Sequence, residues 1–463
     1  MKELRQNMRL VGTLGVIAFI GLSAWLALTV FEQGSIWASS SYNTRLSNTG
    51  AMRGDVTDRD GIVLATTDSE GKRTYLDNTS ARRALAVTVG DTAGMSGTGV
   101  EGYYSAELLD ISDSLAERLS ALFNGIDRKG SSIQLTVDAK LSAYIAKQFP
   151  DGYRGAVCVT NYRTGEVLAM VSLPDYDPYD VANAEDTAYL NRCLQGLYTP
   201  GSVFKIVTLA AALEHDPGVV NQTFTCSGTW EYEGGSIVCA GKTAHGTIDL
   251  QTALAKSCNV TFGKLAYQLG NERMLETAKK LGFNENFKLG DFAIYNSKFP
   301  TEAETVSSLV WSGVGQSTVL VTPMHMNMIT ASVANGGQMV KPWLVKSIVT
   351  GTGVTTKVGA PSQYRQVMSR ETANLIAKCM YQAVEKCTAT RAQIDGLTVC
   401  GKTGSAETSD DKSVETNSWY TGFIADSAHP YAVSVVIEQG GAGAKKATEL
   451  AAKALKAAIE YVG

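Results

Sequence analysis

The pattern of apolar and polar positions changes character three times along the chain. Residues 10–31, LVGTLGVIAFIGLSAWLALTVF, carry no ionisable side chain, and about 20 such residues span a bilayer core as a helix. A stretch rich in Ser, Gly, Thr and Asp follows, to about residue 130. In it Asp60-Gly61 marks a turn before the strand-like IVLA, and Leu108, Leu109, Leu115, Leu119 and Leu122 recur at helical spacing. From 131 onward the signals crowd together. Residues 155–173, GAVCVTNYRTGEVLAMVSL, predict two strands joined at RTGE, and a helix begins near 202. Helical spacing recurs over 250–270, 272–282, 324–337 and 370–387. Strand patterns return over 397–408, 418–425 and 431–439, and an Ala/Lys-rich helix over 445–462 closes the chain. Strands at both ends of a helical middle predict an α+β domain whose N- and C-terminal parts share one sheet. The expected division is a head (1–9), a transmembrane helix (10–31), a small mixed domain (32–130) and a large domain (131–463).

Charge orients the first segment. Lys2, Arg5 and Arg9 precede the apolar run against Glu3 alone, and Glu32 follows it. The positive-inside rule keeps such a head in the cytoplasm and exports the rest. The rival reading, a cleaved signal peptide, calls for a shorter apolar run and a small-x-small site directly after it. The expectation is a single-pass protein of the cell membrane with its C-terminal domain outside the cytoplasm. The remaining composition is globular, with 44% hydrophobic and 19% charged residues, and the net charge of −4 gives no footprint for nucleic acid. The eight cysteines form no CxxC pair, and His215, His245, His325 and His429 are scattered without zinc-ligand spacing. No metal and no cofactor is expected. Cys226 and Cys239 flank a hairpin-like SGTWEYEGGSIV that a disulfide would staple in an oxidising compartment, although buried cysteines more commonly serve as small hydrophobes.

The candidate chemistry begins at residues 199–213, TPGSVFKIVTLAAAL. Ser202, Lys205 and Thr208 fall on one face of a helix that is otherwise apolar nearly all round, hence buried. Burial disfavours a lysine's charge, and an uncharged amine beside a serine can remove the hydroxyl proton that keeps the oxygen a poor nucleophile. Taken alone, Ser-x-x-Lys reads equally well as a helix cap with a lysine reaching the surface. The same spacing recurs at Ser69/Lys72 and Ser409/Lys412, both in polar stretches. Two further motifs add weight. Ser257-Cys258-Asn259 can aim a hydroxyl and an amide into one cleft, although Ser41-Tyr42-Asn43 matches its spacing and a helix cap is its plain alternative. Lys402-Thr403-Gly404, in VCGKTGSAE, joins strand character to glycines that permit close backbone approach, so an extended substrate could pair along this edge. An ordinary protected edge strand is the alternative there.

Taken in this order, the three motifs resemble the signature of penicillin-recognising serine enzymes, and the chain resembles a class B penicillin-binding protein. RGDVTDRDGIVLA, from Arg53, is similar to a stretch of the class B pedestal, which accounts for Arg53-Gly54-Asp55 without an adhesion role. GAVCVTNYRTGEVLAMVSLPDYDP, HGTIDLQTALAKSCN, GVGQSTVLVTPMHMNMITASVANGG and NSWYTGFIA also resemble family segments. The short pedestal resembles that of the small penicillin-binding protein A type. The resemblance implies a transpeptidase domain built of an antiparallel sheet plus a helical subdomain, above a small α/β pedestal. It implies a peptidoglycan D,D-transpeptidase that crosslinks stem peptides through a serine acyl-enzyme and is inhibited by β-lactams, beside a membrane glycan polymerase. Ser202 would be the nucleophile, Lys205 its base, Ser257 a proton relay and Asn259 a contact to substrate or Lys205. Lys402 and Thr403 would bind the terminal carboxylate, with Gly404 beside them, and Ser405, where the family more often has Thr, would lend its N–H to an oxyanion hole. A D,D-carboxypeptidase or β-lactamase is the hydrolytic alternative. A class A β-lactamase would want a glutamate motif that is not found after Asn259. A scaffold or β-lactam sensor is the non-catalytic alternative.

Overall fold

The computed structural model describes residues 8, 12–26, 29, 52–109, 129–288, 291–409, 411 and 413–463. Two sheets organise it. The smaller has the spatial order Thr355–Val358, Val345–Val349, Ser132–Leu135, Val56–Thr57, Val63–Thr67, Arg73–Tyr75. Only the pair Val56–Thr57 with Ser132–Leu135 is parallel. The turn expected at Asp60-Gly61 is present. The Asp58 carboxylate accepts the N–H groups of Asp60 and Ile62 at 2.9 and 2.8 Å, and Gly61 takes the positive φ such a turn needs. This sheet extends past residue 130 and recruits the hairpin 345–358 from far along the chain. Arg53 and Arg73 converge on the buried Glu101 at 2.7 and 2.5 Å, so Arg53 of the Arg-Gly-Asp triplet serves packing. Of the predicted helix over Leu108–Leu122, Leu108 ends the short helix Ser105–Leu108, and the stretch 110–128 lies outside the described residues.

The larger sheet realises the predicted sharing of N- and C-terminal parts. Its order is Val399–Ala406, Asn417–Ile424, Tyr431–Ile437, Gly155–Asn161, Val167–Leu173, antiparallel throughout. Successive residues of a strand face opposite sides, and here both sides are covered. Val157, Val159, Val433 and Val435 pack with Leu141, Ile145, Leu450 and Leu455 of the helices Ala139–Gln148 and Lys446–Val462. Ala156, Cys158, Ala432 and Val436 face the core that holds Met324, Met328 and Ile329 of the helix Pro323–Ala334. Burial on both faces explains why these strands read as nearly unbroken apolar runs rather than as alternation. The strand Val399–Ala406 lies at one edge of the sheet and Val167–Leu173 at the other.

Residues 12–26 are helical, with Phe19, Ile20 and Trp25 more than 60% exposed. No helix among the described residues is long and apolar enough to cross a membrane, and the remainder of the 10–31 span lies largely outside them.

Candidate active site

Three segments meet at the open edge of the larger sheet. The first departs from the uniform helix expected near 202. Gly201–Phe204 forms a 3-10 turn, and the α-helix proper runs Lys205–His215. The cause is Gly201, whose φ of +56° is left-handed and whose Cβ, were there one, would lie 2.4 Å from the Ser405 carbonyl oxygen. The backbone before Ser202 therefore touches the edge strand directly. Thr208, on the same predicted face, is spent on the Gly313 carbonyl at 2.7 Å and takes no part in the cluster.

The second segment breaks what the periodicity read as one helix. Leu250–Ala255 ends, and a new helix, Asn259–Lys280, begins after a short loop and is itself interrupted at Gly270. Ser257 in that loop has φ +57°, a strained conformation for a residue with a side chain. It turns both its hydroxyl and its carbonyl toward Lys205. The third segment is the edge strand itself, whose Thr403 and Ser405 line a cleft of about 620 Å³ together with Ser202, Ser257 and Asn259. Ser405 Oγ accepts the Gly443 N–H at 3.0 Å.

The two lysines lie behind this cleft with no solvent exposure. Lys205 Nζ is 3.0 Å from Ser202 Oγ, 2.9 Å from Ser257 O, 3.1 Å from Ser257 Oγ and 2.6 Å from Asn259 Oδ1. Lys402 Nζ donates to Ser257 Oγ at 2.9 Å and to Thr403 O at 2.8 Å. Every one of these partners is a neutral oxygen. Burial pushes Lys205 down to about 7, with nearby Cys258 and Cys239 pulling weakly the other way. Lys402 is driven well below the ordinary lysine range, by burial first and by Lys205 second. In its neutral form Lys205 has two N–H bonds and one lone pair. The Ser257 carbonyl and the Asn259 amide oxygen are obligate acceptors and take the two N–H bonds. The lone pair is then left for the Ser202 hydroxyl.

All five expected catalytic residues thus come together, and Thr403, Gly404 and Ser405 follow the same edge. Lys402, expected at the terminal carboxylate, has its amine on Ser257 Oγ and Thr403 O, and Thr403 and Ser405 line the cleft wall. The Cys226–Cys239 hairpin exists as strands Thr229–Tyr232 and Gly235–Val238, but its two sulfurs are 3.6 Å apart and unbonded. Sequence reasoning missed what they do belong to. Cys226, Cys239, His245 and Cys258 gather beside the cleft. The intervening runs of 12, 5 and 12 residues contain no compact ligand pair that could have flagged them.

A serine beside a desolvated lysine, a second Ser/Asn pair and a Lys-Thr-Gly edge strand define a penicillin-recognising acyl-transfer site. The penicillin binding protein transpeptidase domain family matches residues 155–456, and the chain belongs to that family, among its class B members. It is 29% identical over 422 residues to a protein named peptidoglycan D,D-transpeptidase PbpA from Mycolicibacterium smegmatis, covering 84% of each chain. It is 29% identical to stage V sporulation protein D of Bacillus subtilis, covering 84% of this chain and 62% of that one. Penicillin-binding protein A from M. tuberculosis, solved as a ceftriaxone acyl-enzyme, superposes with a TM-score of 0.81 at 26% identity, covering 89% of this chain and 99% of that one. A D,D-transpeptidase domain from Eggerthella lenta superposes with a TM-score of 0.76 at 27% identity, covering 90% and 100%.

Proposed function

We propose that this chain is a peptidoglycan D,D-transpeptidase in which Ser202 is acylated by the penultimate D-Ala of a stem peptide. The observation that carries the reading is the contact of Ser202 Oγ with a fully buried amine whose partners are all neutral. Lys205 takes the hydroxyl proton as Oγ bonds to the carbonyl carbon, and the C–N bond to the terminal D-Ala then breaks. The departing amine takes a proton returned from Lys205 through Ser257. An amine of a second stem peptide attacks the ester and releases Ser202. The close approach of Gly201 to Ser405 supports an oxyanion hole formed by the N–H groups of Ser202 and Ser405. Thr403 and Ser405 offer hydroxyls to the terminal carboxylate, while Lys402 holds the Ser257 hydroxyl. Gly404 keeps the strand close, because a Cβ there would meet Pro200 O at 2.9 Å.

The relatives' names support peptidoglycan as substrate, and the acyl-enzyme of the structural neighbour supports β-lactams as inhibitors. We further propose that residues 10–31 anchor the chain in the membrane, that 32–130 contributes the pedestal to a transpeptidase domain over 131–463, and that a membrane glycan polymerase works beside it. The exposed apolar side chains of residues 12–26 suit a lipid surround better than water.

Fluorescent penicillin tests the core of this reading. It should label the wild type covalently and leave Ser202→Ala unlabelled; label retained on the alanine variant refutes the assignment. Lifetime of the adduct separates transferase from hydrolase, because loss of label within seconds would place water, not an amine, as the resolving nucleophile.

A further inference from the structure

We propose that Cys226, Cys239, His245 and Cys258 form a structural zinc site that clamps the Ser257–Asn259 loop. Tetrahedral zinc holds thiolate sulfur at about 2.3 Å and imidazole nitrogen at about 2.0–2.1 Å. A regular tetrahedron with those bonds has sulfur–sulfur edges of about 3.8 Å and sulfur–nitrogen edges of about 3.6 Å. The observed edges are 3.6 Å for Cys226–Cys239 and 3.8 Å for Cys239–Cys258. To His245 Nδ1 they are 3.4 Å from Cys226 and 3.6 Å from Cys239. All four donor atoms lie within 4.8 Å of one another. A disulfide would need its sulfurs at about 2.05 Å and would leave the third thiol and the imidazole unexplained. Three soft thiolates and one imidazole in a closed tetrahedral set select zinc over harder cations.

The surroundings are built for thiolates. Cys258 Sγ accepts the Thr261 N–H at 3.4 Å and the Thr261 hydroxyl at 3.2 Å. These donors sit at the N-terminus of the helix Asn259–Lys280, where the helix dipole also favours negative charge. Each ligand comes from a different piece of chain. Cys226 ends the strand Thr223–Cys226, Cys239 follows the hairpin, His245 precedes the strand Gly246–Asp249, and Cys258 is the middle residue of Ser257-Cys258-Asn259. Binding releases the thiol protons and joins these segments. It holds Ser257 in its left-handed conformation and fixes Asn259, whose Nδ2 donates to Val238 O at 2.7 Å. Both residues contact Lys205, so the ion positions the base without touching substrate.

The test uses the full-length chain purified under reducing conditions. Elemental analysis should return one zinc per chain. Cobalt exchanged into the wild type should show tetrahedral d–d bands with sulfur-to-cobalt charge transfer. Cys226→Ser and His245→Ala should lose the metal, whereas Cys387→Ser, outside the cluster, should keep it. The cobalt spectrum of the wild type decides the matter even if the variants fail to fold. A metal-free chain with all eight thiols titratable, or a Cys226–Cys239 disulfide found in a metal-free chain by mass spectrometry, overturns the site. The clamp has its own arm, which rests on the Ser202 reading. Stripping zinc should slow penicillin acylation by about 10–100-fold, restored by one equivalent of zinc. Unchanged acylation after verified stripping overturns the clamp while the metal analysis stands, and a chain that binds zinc but never acylates overturns the Ser202 reading instead.

Discussion

The smaller sheet and the cleft both bury charge-bearing side chains, and they solve the problem in opposite ways. Beside the smaller sheet, Arg53 and Arg73 share the carboxylate of Glu101, so each guanidinium touches an opposite charge. In the cleft, Lys205 and Lys402 are equally buried, but their hydrogen-bond partners are only hydroxyls, an amide and carbonyls, and Lys205 disfavours the charge on Lys402. A buried cation without a counter-ion sheds its proton instead. The comparison teaches that burial alone makes no catalyst. What distinguishes the site is burial without a carboxylate, which leaves a free base at neutral pH beside a hydroxyl.

Removing the base gives the largest expected effect. Lys205→Ala should slow penicillin acylation by about 10²–10⁴-fold, the usual worth of a general base. Lys205→Arg should do no better, because a guanidinium stays charged. The next change makes the cleft imitate the smaller sheet's ion pairs. Asn259→Asp places a carboxylate where Oδ1 now lies, 2.6 Å from Lys205 Nζ. In the wild type, acylation should rise with pH through about 7 as Lys205 loses its proton. An opposite charge at that distance raises a lysine by about 1–3 pH units. The rising limb should move up by that amount, with about tenfold lost at neutral pH for each unit. Stopped-flow acylation across pH checks both, and a variant limb still near 7 would break the comparison. Stability carries the same sign. The unfolded chain holds a proton on Lys205 that the folded chain lacks between about 7 and the ordinary lysine range. Its burial cost is therefore full below 7 and is relieved as pH rises.

Much of this site was legible, and the reasons are local. Ser202 and Lys205 stand out because polar residues one turn apart interrupt an apolar helix, and Lys402-Thr403-Gly404 because glycines interrupt a strand. The central sheet was legible because burial on both faces writes continuous apolar runs into strands such as Tyr431–Ile437. What escaped depends on pairing between distant segments. The break at Lys256–Cys258 is invisible in the periodicity, since Ala253, Leu254, Val260 and Phe262 are all buried on either side of it. The hairpin 345–358 completes a sheet begun at Val56, and nothing in its two short strands announces that partner. The Cys/His cluster draws one ligand from each of four segments, so no spacing rule could assemble it.

The Arg53–Glu101–Arg73 side of the comparison predicts a stability effect. Glu101→Ala leaves Arg53 and Arg73 without their shared carboxylate, and Arg73 has little access to water. Breaking a buried ion pair by removing one partner costs about 3–5 kcal/mol. Chemical denaturation should register a loss of that order, while the acylation rate of the remaining folded molecules stays unchanged. A fall in rate per folded molecule would show that the two regions are coupled, and the division of roles between them would have to be abandoned.

The smallest effect is expected where the sequence repeats the catalytic spacing without the burial. Ser69 and Lys72 reproduce Ser202 and Lys205 in separation, yet both are exposed in the turn between Val63–Thr67 and Arg73–Tyr75. There the Asp68 carboxylate accepts the backbone N–H groups of Glu70 and Lys72 at 3.0 and 2.9 Å. Lys72 lies open to water and lacks the burial that sets Lys205 apart. Lys72→Ala should therefore leave penicillin labelling intact and change stability by less than about 0.5 kcal/mol, as surface substitutions usually do. Ser69→Ala should likewise keep the full label. If either variant lowered the stoichiometry of labelling, spacing rather than desolvation would be selecting the reactive serine, and the contrast between a paired and an unpaired buried charge would lose its explanatory force.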